Sequence, residues 1–288
     1  MPQTQVGDIS LEYDTFGSSS DTPLLLIMGL GAQMIHWDED FCQQLADTGL
    51  YVIRHDNRDV GLSTILEGDF DMMALMADML AGNTPEVPYS LDDMAADSVG
   101  LLDHLNIDQA HVCGASMGGM IAQLVACNHG DRVMSLTSIM STTGNPDLPK
   151  STPEAQAALM APRPDGEEET IQRAIENAKV IGSKGFPFDP ERTATRAIQA
   201  FKRSFNPMGV ARQMAAIAAN GDRREKLQQL DLPCVVIHGT EDPLVPFEGG
   251  EDTHRHIKNS KLVAIEGMGH DLPPGAWPRV IEAITSLT

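Results

Sequence analysis

Short runs of apolar residues recur along the chain, separated by longer stretches in which apolar positions repeat with helical spacing. Unbroken apolar runs are typical of strands that are buried on both faces of a parallel sheet. They predict strands at 24–28, 51–53, 110–113, 133–139, 234–237 and 262–265. Strands that alternate with helices form βαβ units, so the pattern predicts the α/β fold class, with a parallel sheet between two helical layers.

The alternation stops in the segment 144–220, where strand signals are absent and helical ones dominate. Thr152-Pro153 predicts the start of a helix there, because proline is favoured at the first helical position. The sequence therefore predicts a core at 1–143 and 221–288, interrupted by a helical cap at 144–220.

A second helical pattern, at 71–81, is rich in methionine. It precedes a helix that we expect to begin after Ser90, with Asp93 completing a capping box. The 71–81 helix is a candidate second part of the lid. Its methionines are expected to pack in the core, or to line an acyl pocket if this helix joins the cap.

Charge and hydropathy restrict the partners. The chain has 41 acidic and 20 basic residues, a formal net charge of -21, which opposes binding to nucleic acid or to an anionic bilayer. No apolar run approaches the roughly 20 residues that span a bilayer, and the amino terminus lacks a secretory signal pattern. We expect a cytoplasmic protein with no nucleic-acid or membrane partner. The oligomeric state stays open, a homodimer included.

The four cysteines are scattered without the spacing of a zinc site or of a disulfide framework. Cys113 and Cys234 lie inside predicted strands, where a small buried hydrophobic role is the usual one. We therefore predict no metal site.

The pentapeptide Gly114-Ala115-Ser116-Met117-Gly118 fits the pattern GxSxG, which chance alone supplies in about one chain in ten of this length. Its context is more specific, because it follows a predicted strand and precedes a predicted helix. This arrangement is typical of a sharp turn that exposes a nucleophilic serine at a helix amino terminus. Ser116 is the predicted nucleophile.

A serine hydroxyl needs a base that accepts its proton. The candidate histidines after Ser116 are His238, His254, His256 and His270. His270 is preferred because it lies in a glycine-rich loop after the last predicted strand. We expect His238 to be buried on its strand, and His254 and His256 to lie on an exposed helix.

The base in turn needs a carboxylate to orient it. The turn after the preceding strand, His238-Gly239-Thr240-Glu241-Asp242-Pro243, contains two acids. Asp242 is the preferred acid and Glu241 the alternative.

An oxyanion also needs two preorganised amides. We expect the Met117 amide to be one of them. The other is the Leu30 amide in Met28-Gly29-Leu30-Gly31, where Gly29 is expected to border the substrate. An ordinary strand-ending turn is the alternative role for this segment.

Together with these elements, Asp56-Asn57-Arg58-Asp59-Val60-Gly61-Leu62-Ser63 resembles a turn of the α/β-hydrolase superfamily. The chain resembles this superfamily over nearly its whole length, and especially its small esterases, such as anthracycline methylesterases and related carboxylesterases. Asp59 stands where the family usually has glycine, and Met28 where many members have histidine. The resemblance implies an eight-stranded, mostly parallel sheet, a helical cap after the sixth strand, the acid at Asp242 and no cofactor.

The function that these residues favour is hydrolysis of a small-molecule carboxylic ester through an acyl-enzyme intermediate. Lactonase or carbon-carbon bond hydrolase activity, and acyl transfer with the same triad, remain alternatives. A non-catalytic small-molecule receptor is a further alternative, because a fold does not determine a function.

Overall fold

The computed structural model describes residues 1–68, 70–71, 73 and 86–288, and its sheet has eight strands in the spatial order 1-2-4-3-5-6-7-8. The second strand pairs antiparallel with the first and with the fourth, and all other neighbouring pairs are parallel. The predicted eight-stranded, mostly parallel sheet is confirmed. Its strands are β1 (Gln3–Val6), β2 (Ile9–Phe16), β3 (Thr22–Ile27), β4 (Leu50–His55), β5 (Ala110–Ala115), β6 (Val133–Ile139), β7 (Cys234–Gly239) and β8 (Lys261–Ile265).

The six strands predicted from apolar runs are β3 to β8, whereas β1 and β2 were not predicted. In β2 the alternate residues Ile9, Leu11 and Tyr13 are buried, and polar residues separate them. A strand with this two-residue period has no unbroken apolar run. The pattern used to find the buried strands therefore missed the antiparallel edge of the sheet.

Helices cover both faces of the sheet and extend beyond it. The helices are α1 (Glu39–Ala46), α2 (Leu91–His104), α3 (Met117–Asn128), α4 (Pro153–Met160), α5 (Glu167–Ile181), α6 (Pro190–Arg203), α7 (Pro207–Asn220), α8 (Arg224–Leu227), α9 (Phe247–His256) and α10 (Trp277–Thr285). The capping box predicted before α2 is present, since Ser90 and Asp93 each accept a hydrogen bond from the other's amide, at 3.1 and 2.7 Å.

Two hydrophobic clusters form the core, one on each face of the sheet. Leu25 and Ile27 of β3 pack in the cluster that includes α2 and α3. Leu24 and Leu26 pack in the other cluster, with α1 and α10. Successive strand residues point to opposite faces, so an unbroken apolar run is what a strand between two helical layers requires.

Between β6 and β7 the chain forms α4 to α7, which we call the cap helices. The boundaries that the sequence assigns to the core and the cap stay a prediction. Of the 71–81 pattern, the structure describes only Asp71 and Met73, so the predicted lid helix lies outside the described residues. None of the helices in the described ranges is long and apolar enough to cross a membrane.

Candidate active site

Ser116 lies in the turn between β5 and α3, at the carboxyl edge of the sheet. Its backbone has φ 57° and ψ -121°, in a region that residues other than glycine rarely adopt. A Cβ atom at Gly114 would collide with the Gly118 backbone, and one at Gly118 would collide with the Ile27 carbonyl. The two glycines therefore allow the close strand-helix approach that holds the serine in this turn.

His270 follows β8 and lies between the serine and an acid. Its Nε2 atom is 3.0 Å from Ser116 Oγ, and its Nδ1 atom is 2.7 Å from Asp242 Oδ2. In the neutral tautomer that fits both contacts, Nδ1–H donates to the carboxylate and Nε2 accepts from the serine hydroxyl. The structure thus brings together the three predicted catalytic side chains in one hydrogen-bonded chain.

Asp242 follows β7 and is held by its own turn. Its Oδ1 atom accepts hydrogen bonds from the amides of Leu244 and Val245, both at 2.9 Å. Burial alone would raise the pKa of this carboxyl, but the charge and hydrogen bonds of His270 and His238 outweigh burial and hold the pKa well below its usual range. Asp242 is therefore ionised wherever the protein is folded near neutral pH.

The other candidates do not reach the serine. His238 is fully buried, as expected, and its Nε2 donates to the Val245 carbonyl at 2.8 Å. Glu241 is exposed. His254 and His256 lie on α9, but both are half-buried, so the expectation of exposed side chains was wrong. Hydrogen bonds at 2.8 Å to the Ser260 hydroxyl and the Asp252 carbonyl hold these two rings against the core.

The two predicted oxyanion amides flank the nucleophile. Met117 is the first residue of α3, and Leu30 lies in the loop that follows β3. Within the described residues, neither amide donates a hydrogen bond to the protein. A Cβ atom at Gly29 would lie 3.1 Å from Ser116 Cβ and 3.6 Å from its Oγ. The loop therefore passes directly beside the nucleophile, where only glycine avoids crowding.

Two buried side chains that we did not predict hold this loop. Gln213 of α7 accepts from the Gly31 amide at 2.8 Å and donates to the Arg58 carbonyl at 2.8 Å. Asn57 donates to the Met28 carbonyl at 2.8 Å. Asn57 lies in a motif that the sequence does reveal, but no sequence signal links Gln213 to a loop 182 positions away.

The loop that carries His270 also contacts the cap helices. The His270 amide donates to the Ile181 carbonyl at 2.7 Å, and the Gly269 amide donates to the Ser183 hydroxyl at 2.9 Å. The Ser183 hydroxyl in turn donates to the half-buried Asp271 carboxylate. Burial raises the pKa of Asp271, and the bonds from Ser183 partly offset that rise.

The backbone and the contacts of Asp59 explain why aspartate can stand where the family usually has glycine. Its φ of 68° is left-handed, a region in which glycine is favoured and aspartate is tolerated better than most residues. The carboxylate forms a bidentate pair with Arg212 of α7, both contacts at 2.8 Å, and both residues are buried. Burial alone would raise the pKa of Asp59, but Arg212 and the Leu66 amide hold it below its usual value.

Two adjoining cavities lie between the core and the cap helices. The first, about 580 Å³, borders His270, and the second, about 360 Å³, borders Leu30. We call them the His270 cavity and the Leu30 cavity. They share the lining residues His36, Ala174, Asn177, Ile181 and Ala197. The two spaces therefore meet along these five residues.

Among the described residues, no cluster of histidine, cysteine or acidic side chains could hold a metal ion. The cysteines Cys42, Cys113, Cys127 and Cys234 are free. Burial raises the pKa of the Cys113 and Cys234 thiols, which keeps both protonated. Cys113 and Cys234 pack in the core, as the sequence predicted for these two strand positions.

A family model described as alpha/beta hydrolase fold matches residues 22–273. The chain is 27% identical over 303 residues to rhodomycin D methylesterase DnrP of Streptomyces peucetius, covering 98% of this chain and 95% of that protein. It is 28% identical over 281 residues to 3-oxoadipate enol-lactonase 2 of Acinetobacter baylyi, covering 96% and 93% of the two chains.

Solved structures show the same fold. A thermophilic esterase from Thermogutta terrifontis superposes with a TM-score of 0.75 at 26% sequence identity, covering 99% of this chain and 97% of that one. The match extends over the sheet and the cap helices alike, because nearly the full length of both chains is covered.

Proposed function

This chain belongs to the α/β-hydrolase fold family, and we propose that it hydrolyses carboxylic esters with Ser116 as nucleophile, His270 as base and Asp242 as orienting acid. The observation that carries the proposal is the hydrogen-bonded chain from Ser116 Oγ through both nitrogens of His270 to Asp242 Oδ2, with contacts of 3.0 and 2.7 Å. A serine so connected can lose its proton as it attacks a carbonyl carbon.

In the first half-reaction, Ser116 Oγ attacks the ester carbon while His270 Nε2 takes the hydroxyl proton. The imidazolium that forms is stabilised by the ionised Asp242 at Nδ1. The oxyanion lies between the Leu30 and Met117 amides. Collapse of this intermediate breaks the bond to the alcohol, which leaves with the proton from Nε2. An acyl group then remains on Ser116.

In the second half-reaction, His270 takes a proton from water, and the hydroxide attacks the acyl carbon. The same amides receive the negative charge, and the proton on Nε2 passes to Ser116 Oγ as the acid leaves. No cofactor enters either step. The relatives named as a methylesterase and an esterase support an ester as the substrate.

A lactone is a second candidate substrate, favoured by the enol-lactonase relative at 28% identity over 96% of this chain. A lactone is an internal ester, so the same residues would act in the same order. The difference is that the alcohol released by ring opening stays covalently attached to the acyl group, so water releases a single hydroxy acid from Ser116.

The proposal is tested with para-nitrophenyl esters of increasing acyl length and with matched lactones, using the native chain and Ser116→Ala. We expect ester turnover that falls by about a thousandfold or more in Ser116→Ala. Ser98→Ala is the matched control, since Ser98 is a buried serine whose hydroxyl, among the described residues, bonds only to the Met94 carbonyl of its own helix.

A fluorophosphonate probe gives a second readout, because it labels only an activated serine. Labelling is expected in the native chain and in Ser98→Ala, and is absent in Ser116→Ala. Turnover that survives Ser116→Ala would remove the serine from the mechanism. Products that carry an added alcohol in place of free acid would instead favour acyl transfer.

A further inference from the structure

Positive charge is concentrated around the two cavities, although the chain as a whole carries a formal charge of -21. The Leu30 cavity is lined by Arg163 and Arg173 and by no acid among the described residues. The His270 cavity has a cationic lining of Lys179, Lys184, Arg192 and Arg196, against the two acids Asp189 and Asp271. A ligand in these cavities therefore meets a potential opposite in sign to that of the whole chain.

Arg163 lies beside the loop that carries the proposed oxyanion amide. Its guanidinium packs on Gly31, the residue after Leu30, and its only hydrogen bonds within the described chain go to the Gly31 carbonyl, at 3.4 and 3.5 Å. These contacts are long for a group with five N–H donors, and no carboxylate of the described residues forms an ion pair with it. Arg163 thus has unused donors beside the oxyanion loop.

Arg163 is an exposed residue that borders the Leu30 cavity. Desolvation lowers the pKa of its guanidinium, which nevertheless stays charged. A charged guanidinium that has no counterion among the described residues is available to bind an anionic ligand.

His36 lines both cavities, and burial and the positive charges around them lower its pKa. Burial, and then the charges of Arg196 and Arg163, lower the pKa of His36 to about 4. Arg192 and Arg196 share the single carboxylate of Asp38, at 2.6 and 3.7 Å, so one of these two charges is also left without a counterion.

We infer that the substrate of the proposed esterase carries a carboxylate, and that Arg163 binds this group in the Leu30 cavity. The inference rests on the proposed function, because it names the substrate class for the same serine. The planar guanidinium can bind a carboxylate with two parallel hydrogen bonds. The ester carbonyl would then lie on Ser116, and the anionic end of the substrate would extend beneath the cap helices.

The test compares monomethyl hexanedioate, octanedioate and decanedioate with the methyl esters of the unbranched acids of equal chain length. The native chain is expected to favour the anionic ester of at least one pair by about tenfold or more in kcat/KM. Arg163→Gln should abolish that preference and lower kcat/KM far less for the neutral ester than for the anionic one, whereas Arg163→Lys should retain part of the preference. Rising salt should weaken the preference.

Arg224→Gln is the matched control, because it removes the same charge from an exposed pair with Asp222 and lies outside both cavities. We expect it to keep the native preference. Equal loss for anionic and neutral esters in Arg163→Gln would overturn the inference, since Arg163 would then act only on the Gly31 loop. No charge preference in the native chain would also overturn it.

Binding to Ser116→Ala separates this inference from the proposed function. Calorimetry should show the anionic ester binding about tenfold or more tightly than its neutral partner, and the difference should vanish when Arg163→Gln is added. If no ester is cleaved by the native chain, the proposed function fails while these binding data still decide the inference. Equal binding of both esters would overturn it.

Discussion

The proposed nucleophile and the groups proposed to act on it are held by different parts of the molecule. Ser116 lies between β5, all of whose residues are buried, and α3, which is buried from Met117 to Ala126. Its amide donates to the Ile139 carbonyl of β6 at 2.9 Å. Core packing, local backbone geometry and hydrogen bonds from the core, including one from the Ser141 hydroxyl to the Ser116 carbonyl at 2.8 Å, hold the serine.

The oxyanion loop and the base loop are held from the other side, by the cap helices. Gln213 bonds to the Gly31 amide, and the Gln33 side chain donates to the carbonyls of Ala200 and Ser204 at 2.7 and 3.1 Å. The His270 amide donates to the Ile181 carbonyl. The cap helices therefore help to position the proposed oxyanion loop and base loop, and they also shape the cavities.

Because of this difference, substitutions in the core and in the cap should have different effects. A change in the core near Ser116 should affect folding first, because close packing leaves no room for adjustment. A change in the polar contacts of the cap should leave the fold largely intact but misplace a base or an amide, and small misplacements lower rates strongly.

The largest effect is expected for Gly118→Ala. Its Cβ atom would overlap the Ile27 carbonyl, so we expect a loss of about 3 kcal/mol in the free energy of unfolding, with little activity in the remaining folded protein. Gly130→Ala is the matched control, because no heavy atom lies within 4 Å of a Cβ at that position. Urea unfolding measures both, and equal stability of the two variants would contradict the close approach.

The next largest effect is expected for the ion pair between Asp59 and Arg212, which joins the turn after β4 to the cap helix α7. Asp59→Asn leaves the buried Arg212 without its counterion, which should reduce the free energy of unfolding by about 3 kcal/mol at neutral pH. Asparagine also tolerates the left-handed backbone, so strain adds little. Asp222→Asn breaks an exposed pair with Arg224 and should cost at most about 1 kcal/mol.

The loss of stability in Asp59→Asn should depend on pH. The folded-state pKa of Asp59 is depressed, so its contribution is present above the unfolded pKa of about 3.9 and is lost as pH falls through the folded value. The stability difference between the native chain and Asp59→Asn should therefore shrink in acid. A difference that stays constant down to acid pH would show that the ion pair is not its source.

Local patterns were enough to predict much of this molecule. Strands buried on both faces leave unbroken apolar runs, and the turn at Ser116 requires glycines at fixed offsets. His270 and Asp242 follow consecutive strands of the sheet, so chain order and turn composition indicated them. The antiparallel β1 and β2 were missed, because their two-residue alternation looks unlike a buried run.

The contacts of the cap could not be predicted in this way. Gln213 and Ser183 meet loops that are 182 and 86 positions away, and only the orientation of the cap helices brings them together. Asp59 is instructive in another way. The sequence revealed its departure from glycine, but its partner Arg212 lies 153 positions later and was not predictable from the motif.

A smaller effect, confined to the rate, is expected for Gln213→Met. Methionine keeps the volume but loses the bond to the Gly31 amide, so the Leu30 amide should be less well placed for the oxyanion. We expect kcat to fall by about tenfold to thirtyfold, corresponding to about 2 kcal/mol, with little change in KM. The exposed Gln228→Met is the control. A raised KM with native kcat would mean that Gln213 shapes only the cavity.

The smallest effect is expected for Ser183→Ala, which removes the hydroxyl between the Gly269 amide and the Asp271 carboxylate. We expect a loss of about 1 kcal/mol in the free energy of unfolding at neutral pH and a drop of a few fold in kcat.

Burial already raises the pKa of Asp271, and losing the Ser183 hydroxyl should raise it further. Because a raised folded-state pKa favours the protonated carboxyl, the penalty should be largest at neutral pH and decrease as pH falls through the raised folded-state pKa of Asp271. Urea unfolding across this range measures it, and a penalty that grows in acid would assign the loss to a group other than Asp271.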